Sequence, residues 1–210
     1  VNACINTKSR ILDAARELFA THGFNGTSIR DISTKAGVNV ASINYHFSNK
    51  QLLFWEVFRA GYQQIDSTLM AIQDLQLSPE ETAVEVLRTL LKHWNDASNT
   101  FRIVLSGSLP KADSDMREFC EGKMGPPGVQ VLQSAITKKY GKLPEKGLIW
   151  ASHTIFSSTM HWALIMGTAY VKEFSANSEI CNQDHMEQSV ASCTTAIINH
   201  LLANIEQFES

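Results

Sequence analysis

The sequence predicts an all-α protein, a small helix-turn-helix head on a larger helical body, with about nine helices. Three observations carry that expectation. Residues 28–47, SIRDISTKAGVNVASINYHF, read as two short helices joined by a tight turn. Apolar residues in the rest of the chain recur at three- and four-residue spacing. Only 11 glycines and 5 prolines occur in 210 residues, which leaves little room for long loops. The head is expected over residues 1–50 and the body over residues 51–210.

The head is read element by element. Residues 1–6 form a disordered lead, and a first helix runs from about residue 7 to 22. Ile11, Ala14, Ala15, Leu18 and Phe19 make its apolar face, Gly23 ends it, and Phe24 closes the small core. Thr27 is expected to cap the second helix and to offer its hydroxyl to a phosphate. Ile29, Ile32 and Ala36 face inward, Gly37 makes the turn, and Val38 plugs it. Asn39 caps the third helix, on which Val40, Ile43 and Phe47 share one face. Ala41, Ser42, Asn44 and Tyr45 then point outward, free to enter a DNA major groove. Asn44 suits the edge of an adenine, while Val40 and Ala41 suit a thymine methyl. Tyr45 and His46 can each donate to a phosphate oxygen.

Ser48 is expected to cap a fourth helix that runs from about residue 49 to 75, a span of roughly 40 Å. Lys50 lies in its first turn, where it is expected to meet a phosphate. Gly61 sits mid-helix, as a bend or a close packing point. Ser78, Pro79 and Glu81 form a capping box with proline at the first helical position. The helix they open carries Val84, Leu87, Leu91 and Trp94 at core spacing. Further helices are expected over residues 99–109, 113–122, 127–140 and 144–174, with Pro126 and Pro127 breaking the chain. Residues 175–183 read as a polar loop. Asp184 caps a last helix with a stripe of Val190, Cys193, Ile197, Leu201, Ile205 and Phe208.

Charge is unevenly spread. The net charge is −3, yet residues 1–50 carry six basic against three acidic side chains, +3, and the remainder is −6. A basic head on an acidic body suits local phosphate attraction. Cys4, Cys120, Cys181 and Cys193 include no CxxC pair and match no zinc pattern, so reduced thiols in a cytosolic protein are expected. No signal peptide is read at VNACINTKSR. No apolar run approaches the ~20 residues of a membrane span, so the expected location is cytoplasmic. No metal or cofactor site is expected. His153 and His161 stand about 12 Å apart along a helix, too far to share an ion.

The stretch ILDAARELFATHGFNGTSIRDISTKAGVNVASINYHFSNKQLLFWEVF resembles the N-terminal domain of the TetR family of transcriptional repressors. The likeness lies in AARELFATHGF, GTSIRDISTKAGV, the NYHF end of the recognition helix and the SNKQLL start of the fourth. It covers roughly the first quarter of the chain; beyond Phe58 only length and helical character are alike. The resemblance implies operator contacts at Asn39 and at Thr27 or Ser28. Many relatives carry Lys, Ser or Thr at the place of Val40 and an aromatic residue at that of Asn44; these departures bear on which base sequence is read and not on the binding mode.

The resemblance also implies a homodimer, a double-stranded operator and an effector pocket. The last two helices of each chain would form a four-helix seam, here residues 145–170 and 184–208, whose apolar circumference is wide. Two recognition helices would then meet a pseudo-palindromic operator. Trp94, Phe101, Met116, Phe119, His153, Phe156 and Met160 are the candidates to line a pocket for a small apolar or amphipathic effector. At helical spacing such residues are plain core more often than not. The expected function is a repressor that releases its operator on binding the effector. One alternative is a DNA-binding dimer without an effector. The other is an enzyme using Cys120 as nucleophile and His153 as base, which no nucleophile motif or phosphate loop supports.

Overall fold

The computed structural model describes residues 2–105, 109–112, 114–121, 125–168, 171, 173 and 182–209. Among these residues the fold is all-α: eleven α-helices and one 3₁₀ turn. Residues 122–124 of the expected chain break, and most of the expected 175–183 loop, lie outside the described residues.

The chain forms two compact units, residues 1–64 with 95–124, and residues 65–94 with 125–210. In the first, α1 (Asn2–His22), α2 (Ile29–Ala36) and α3 (Val40–Phe47) pack on one another. Residues 2–6, expected as a lead, belong to α1. Helix α4 (Lys50–Met70) begins in this unit, which also takes α6 (Trp94–Leu105) from residue 95 and α7 (Ser114–Glu121). Ile11, Phe19, Ile32, Ile43, Leu53, Phe54, Ile103 and Met116 form one buried core. Residue 50 is therefore not a packing boundary, because the apolar face of early α4 is buried with the head. Gly61 is a close packing point: a Cβ there would stand 2.5 Å from Thr100 Oγ1 on α6.

The caps follow the sequence with three shifts. Ser28, not Thr27, caps α2 in a full capping box with Asp31. Asn49, not Ser48, caps α4, its Oδ1 accepting from the Leu52 amide at 2.9 Å. Asn182, not Asp184, caps the long C-terminal helix. In each case the capping residue lies one or two places from the expected one, and the periodic apolar pattern alone does not set that offset.

In the second unit a 3₁₀ turn (Ala71–Leu75) ends α4's run, and Ser78 and Glu81 open α5 (Pro79–Lys92) as expected. Helices α8 (Val129–Tyr140), α9 (Glu145–Gly167), α10 (Gln183–Ala203) and α11 (Ile205–Glu209) complete it. α5, α9 and α10 pack pairwise, and α8 lies on α5 and α9. The buried face of α5 is Ala83, Val86, Leu87 and Leu90; Val84 and Leu91 are half-buried, and Trp94 begins the next helix. On α10 the buried stripe is Met186, Val190, Thr194, Ile198 and Leu201. Cys193 of the expected stripe is exposed, Ile197 is half-buried, and a break at Asn204 separates Ile205 and Phe208. Thr194 is accommodated in the buried stripe because its hydroxyl donates to the Val190 carbonyl at 2.8 Å.

Candidate nucleic-acid interface

The recognition helix α3 is short and firmly held. Asn39 Oδ1 accepts from the Ser42 amide at 2.7 Å and from the Ser42 hydroxyl at 2.8 Å. Ile43 and Phe47 are buried at 0% and 5% exposure. Round the helix from them, Asn44 and Ala41 are exposed, Val40 is 37% exposed, and Tyr45 is 82% exposed. An eight-residue helix cannot hold itself in water, so this face stays fixed only through its cap and its buried side. His46 is half-buried, its ring 5.1 Å from that of Tyr45.

Helix α2 is held just as closely. Ser28 Oγ accepts from the Asp31 amide at 3.1 Å, and the Ser28 amide donates to Asp31 at 2.9 Å. Hydrogen bonding to the Ser28 side chain and to its backbone amide holds the Asp31 carboxyl below the usual carboxylate range. At the other end Gly37 takes φ 62°, where glycine is favoured, and returns its amide to Ser33 and Thr34. Arg10 of α1 adds a clamp by donating to the carbonyls of Ala36 and Gly37. That role was not legible in the sequence, since nothing local marks an arginine 26 residues away as a cap.

Two side chains expected at phosphates also have partners within the head. Thr27 is 2% exposed, and its hydroxyl donates to the Leu18 and Gly23 carbonyls at 3.2 and 2.9 Å. It ties the α1–α2 turn together and offers no donor outward. Lys50 Nζ donates to the carbonyls of Phe24 and Thr27 at 2.9 and 3.0 Å, and lies 4.1 Å from the centre of the Phe24 ring.

The effector candidates divide between the two units. Phe101, Met116 and Phe119 belong to the first and Trp94, His153, Phe156 and Met160 to the second. Met116 is fully buried in the first unit's core. Phe119 packs its ring on Tyr62 at 5.5 Å and lies under the Arg59 guanidinium. Trp94 packs on Gly167, and Phe156 and Met160 are buried on α9. His153 stands against Gly125, which a side chain would clash with, and its Nε2 is buried without a partner, as is Gln130 Oε1. The side chain of Cys120 lies outside the described residues. Among the described residues there is no group of three or more metal-ligating side chains, and no helix long and apolar enough to cross a membrane.

The geometry is that of a helix-turn-helix with its outer face open. Residues 11–57 match the model of bacterial regulatory proteins, tetR family. Over this head, the chain is similar to the TetR family. It is 34% identical over 86 residues to the HTH-type transcriptional repressor AcnR of Corynebacterium diphtheriae, covering 41% of this chain and 40% of that one. The chain thus spans about two fifths of the length of the curated relatives it matches first. A transcriptional regulator of the TerR/AcrR family from Aquifex aeolicus VF5 superposes with a TM-score of 0.60 over 91% of this chain and 99% of its own, at 20% identity. A TetR-like transcriptional regulator from Rhodococcus sp. RHA1 gives 0.63 over 94% and 96%, at 16% identity. At such identity the likeness is one of fold. It extends the TetR-like architecture over the body, where the sequence resemblance had stopped.

Proposed function

We propose that this chain is a DNA-binding transcriptional regulator, a repressor that releases a pseudo-palindromic operator when a small apolar or amphipathic effector binds its body. The observation that carries the reading is the outer face of α3, where a capped and buried helix leaves Ala41, Asn44 and Tyr45 exposed. Asn44 reads an adenine edge, and Val40 and Ala41 meet a thymine methyl. Tyr45, His46, Asn39 and the N-terminus of α2 at Ser28 hold the phosphates. The relative named above as a transcriptional repressor supports the same class.

The protein acts as a homodimer in the cytoplasm, through residues 145–170 and 184–208. The exposed Cys193 and Ala196 on α10 and Leu164 on α9, 37% exposed, support that seam. The unpartnered buried His153 Nε2 and Gln130 Oε1 support an effector with a hydrogen-bonding end. A second reading is a DNA-binding dimer with no effector. It is favoured by the complete burial of Met116 and by the packing of Trp94 on Gly167, which make expected pocket residues plain core. No catalytic activity is proposed.

The test is selection of bound duplexes from random DNA by the full chain. The expected result is an inverted repeat whose half-sites lie one helical turn or a multiple apart. Asn44→Ala should then relax one base position in each half-site, at about 1–3 kcal/mol of discrimination. A pool with no enriched motif removes the reading.

A further inference from the structure

We infer that the joint between α8 and α9 holds the polar end of the effector, and that this end is a neutral hydroxyl, as in an alcohol or phenol, on an otherwise apolar molecule; this assignment rests on the effector reading above. Gln130 Oε1 and His153 Nε2, both in the second unit, are buried and have no hydrogen-bond partner among the described residues. They lie on one pair of packed helices, Gln130 on α8 and His153 on α9. The pair is tied by a bond from Gln133 Nε2 to Ser152 Oγ at 3.2 Å. Gln130 stands one turn before Gln133, and His153 adjoins Ser152, so both unpaired atoms belong to the same stretch of the joint.

The hydroxyls of that stretch are satisfied. Ser152 donates to the Ile149 carbonyl at 3.1 Å, Thr154 to that of Trp150 at 2.7 Å, and Thr159 to that of Ile155 at 2.9 Å. A buried polar atom left unpaired costs stability, and native structures hold few of them. Two on one joint therefore mark a place for a group from outside.

The two atoms specify that group. An amide oxygen only accepts, so Gln130 Oε1 calls for a donor. An imidazole nitrogen donates or accepts according to its tautomer. A hydroxyl meets both, giving its proton to the amide oxygen and taking one from the ring nitrogen. A carboxylate has no proton to give and would set its negative charge against the amide oxygen. A methyl group would leave both atoms unpaired. The surroundings suit an apolar stem: Phe156 and Met160, one and two turns along α9 from His153, are 3% and 9% exposed. Gly125 bears on the same nitrogen. A Cβ there would stand 2.6 Å from His153 Nε2, so only a glycine leaves that edge of the ring clear.

The probes are phenol, toluene and benzoate, which share a ring and differ at one end. Each is titrated at neutral pH into the full chain, wild type and Gln130→Met. Binding is followed by thermal shift and by the His153 ring nitrogen resonances, assigned by their loss in His153→Asn. Phenol should move the Nε2 resonance and bind the wild type about tenfold more tightly than toluene or benzoate. Gln130→Met keeps the stem and removes the unpaired acceptor. It should bind phenol and toluene nearly alike and, without a probe, melt about 2–4 °C higher.

Benzoate binding as tightly as phenol would overturn the hydroxyl assignment. A Nε2 resonance that no probe moves would overturn the site. So would a Gln130→Met chain that melts lower than the wild type and keeps the preference for phenol, because buried water would then be the partner of Gln130. The effector reading is tested apart, by the affinity of the full chain for its selected duplex in saturating phenol. Phenol held at His153 with that affinity unchanged means that the hydroxyl site stands and the effector reading fails. Release of the duplex with no movement at His153 means that the effector reading stands and this site fails.

Discussion

Helices α3 and α10 are built alike and finished differently. Each has an inner face that makes its unit: Ile43 and Phe47 on α3, and Met186, Val190, Thr194, Ile198 and Leu201 on α10. Each also leaves an outer face uncovered. That of α3 is amide, phenol and methyl, with Asn44, Tyr45 and Ala41 exposed. The outer face of α10 is small and weakly polar, with Ser192, Cys193 and Ala196 exposed beside the half-buried Ile197. The rings of Trp150 and His200, 5.3 Å apart, and of Trp162 and His185, 6.4 Å apart, join it to the outer face of α9. Hydrogen-bonding groups on a rigid rod suit a groove of base edges. Small residues flanked by tryptophans suit a close approach of helices from a second copy. The difference teaches that inner faces set stability and outer faces set partners.

The largest effect should come from charging the outer face of α10. Cys193→Glu with Ala196→Glu leaves every buried side chain of the single chain in place, since both positions are exposed. In a two-fold seam it brings like charges together and buries them, which is costly. Sedimentation should show a folded monomer with unchanged helicity. Operator affinity should fall by roughly 10²–10⁴, the advantage lost when two heads are no longer linked. A stable dimer with full affinity would remove the seam. Leu201, part of the expected stripe, is no place for this test, because it is fully buried within its own unit and a charge there would unfold the chain.

That correction marks how far the sequence was legible. In the head, most elements are signalled locally: Asn39 as a cap, Gly37 as a left-handed turn, Ile43 and Phe47 one turn apart. Each signal lies within a few residues of what it controls, so fold and candidate interface could be read together. What was not legible there is a bond to a distant partner, as at Lys50. Lys50 meets carbonyls 23 and 26 residues away, and no local pattern distinguishes that from a phosphate contact. In the body the helices were readable but their rotation was not. Val190, Cys193, Ile197 and Leu201 fit a 3.6-residue period as well as Val190, Thr194, Ile198 and Leu201 do. Which stripe is buried depends on α5 and α9 across the core.

A medium effect should follow from crowding the inner face of the same unit. A Cβ on Gly167 would stand 1.9 Å from Trp94 Cε2, closer than any real contact. Gly167→Ala should therefore destabilise by about 1–3 kcal/mol, read as a melting temperature several degrees lower. Affinity per folded dimer should stay the same, in contrast to the outer-face change. In a Trp94→Ala background the glycine substitution should cost little. Equal costs in both backgrounds would mean that the indole is not what Gly167 clears.

The smallest effect lies at the rim between the two faces of α10. Arg88 of α5 donates from Nε to Glu187 Oε1 at 2.8 Å and from Nη2 to Oε2, a two-pronged pair. The Arg88 side chain is 51% exposed and that of Glu187 16%, so water and salt screen much of the attraction. Arg88→Met should cost no more than about 1 kcal/mol at neutral pH. The hydrogen bond from Arg88 holds the Glu187 carboxyl below its ordinary value near 4.5; partial burial opposes that shift, and the Gln183 amide adds to it. A depressed native pKa means that the unfolded chain binds the proton more readily. The stabilisation is thus fully present above pH 4.5 and disappears as pH falls through the native value. Wild type and Arg88→Met should accordingly differ most near pH 7 and converge in acid, while thermal unfolding in high salt should narrow the gap at neutral pH. A gap that stays the same from pH 7 down to strong acid would assign the loss to the packing of the arginine stem, since protonating Glu187 ends the ion pair and leaves that packing untouched.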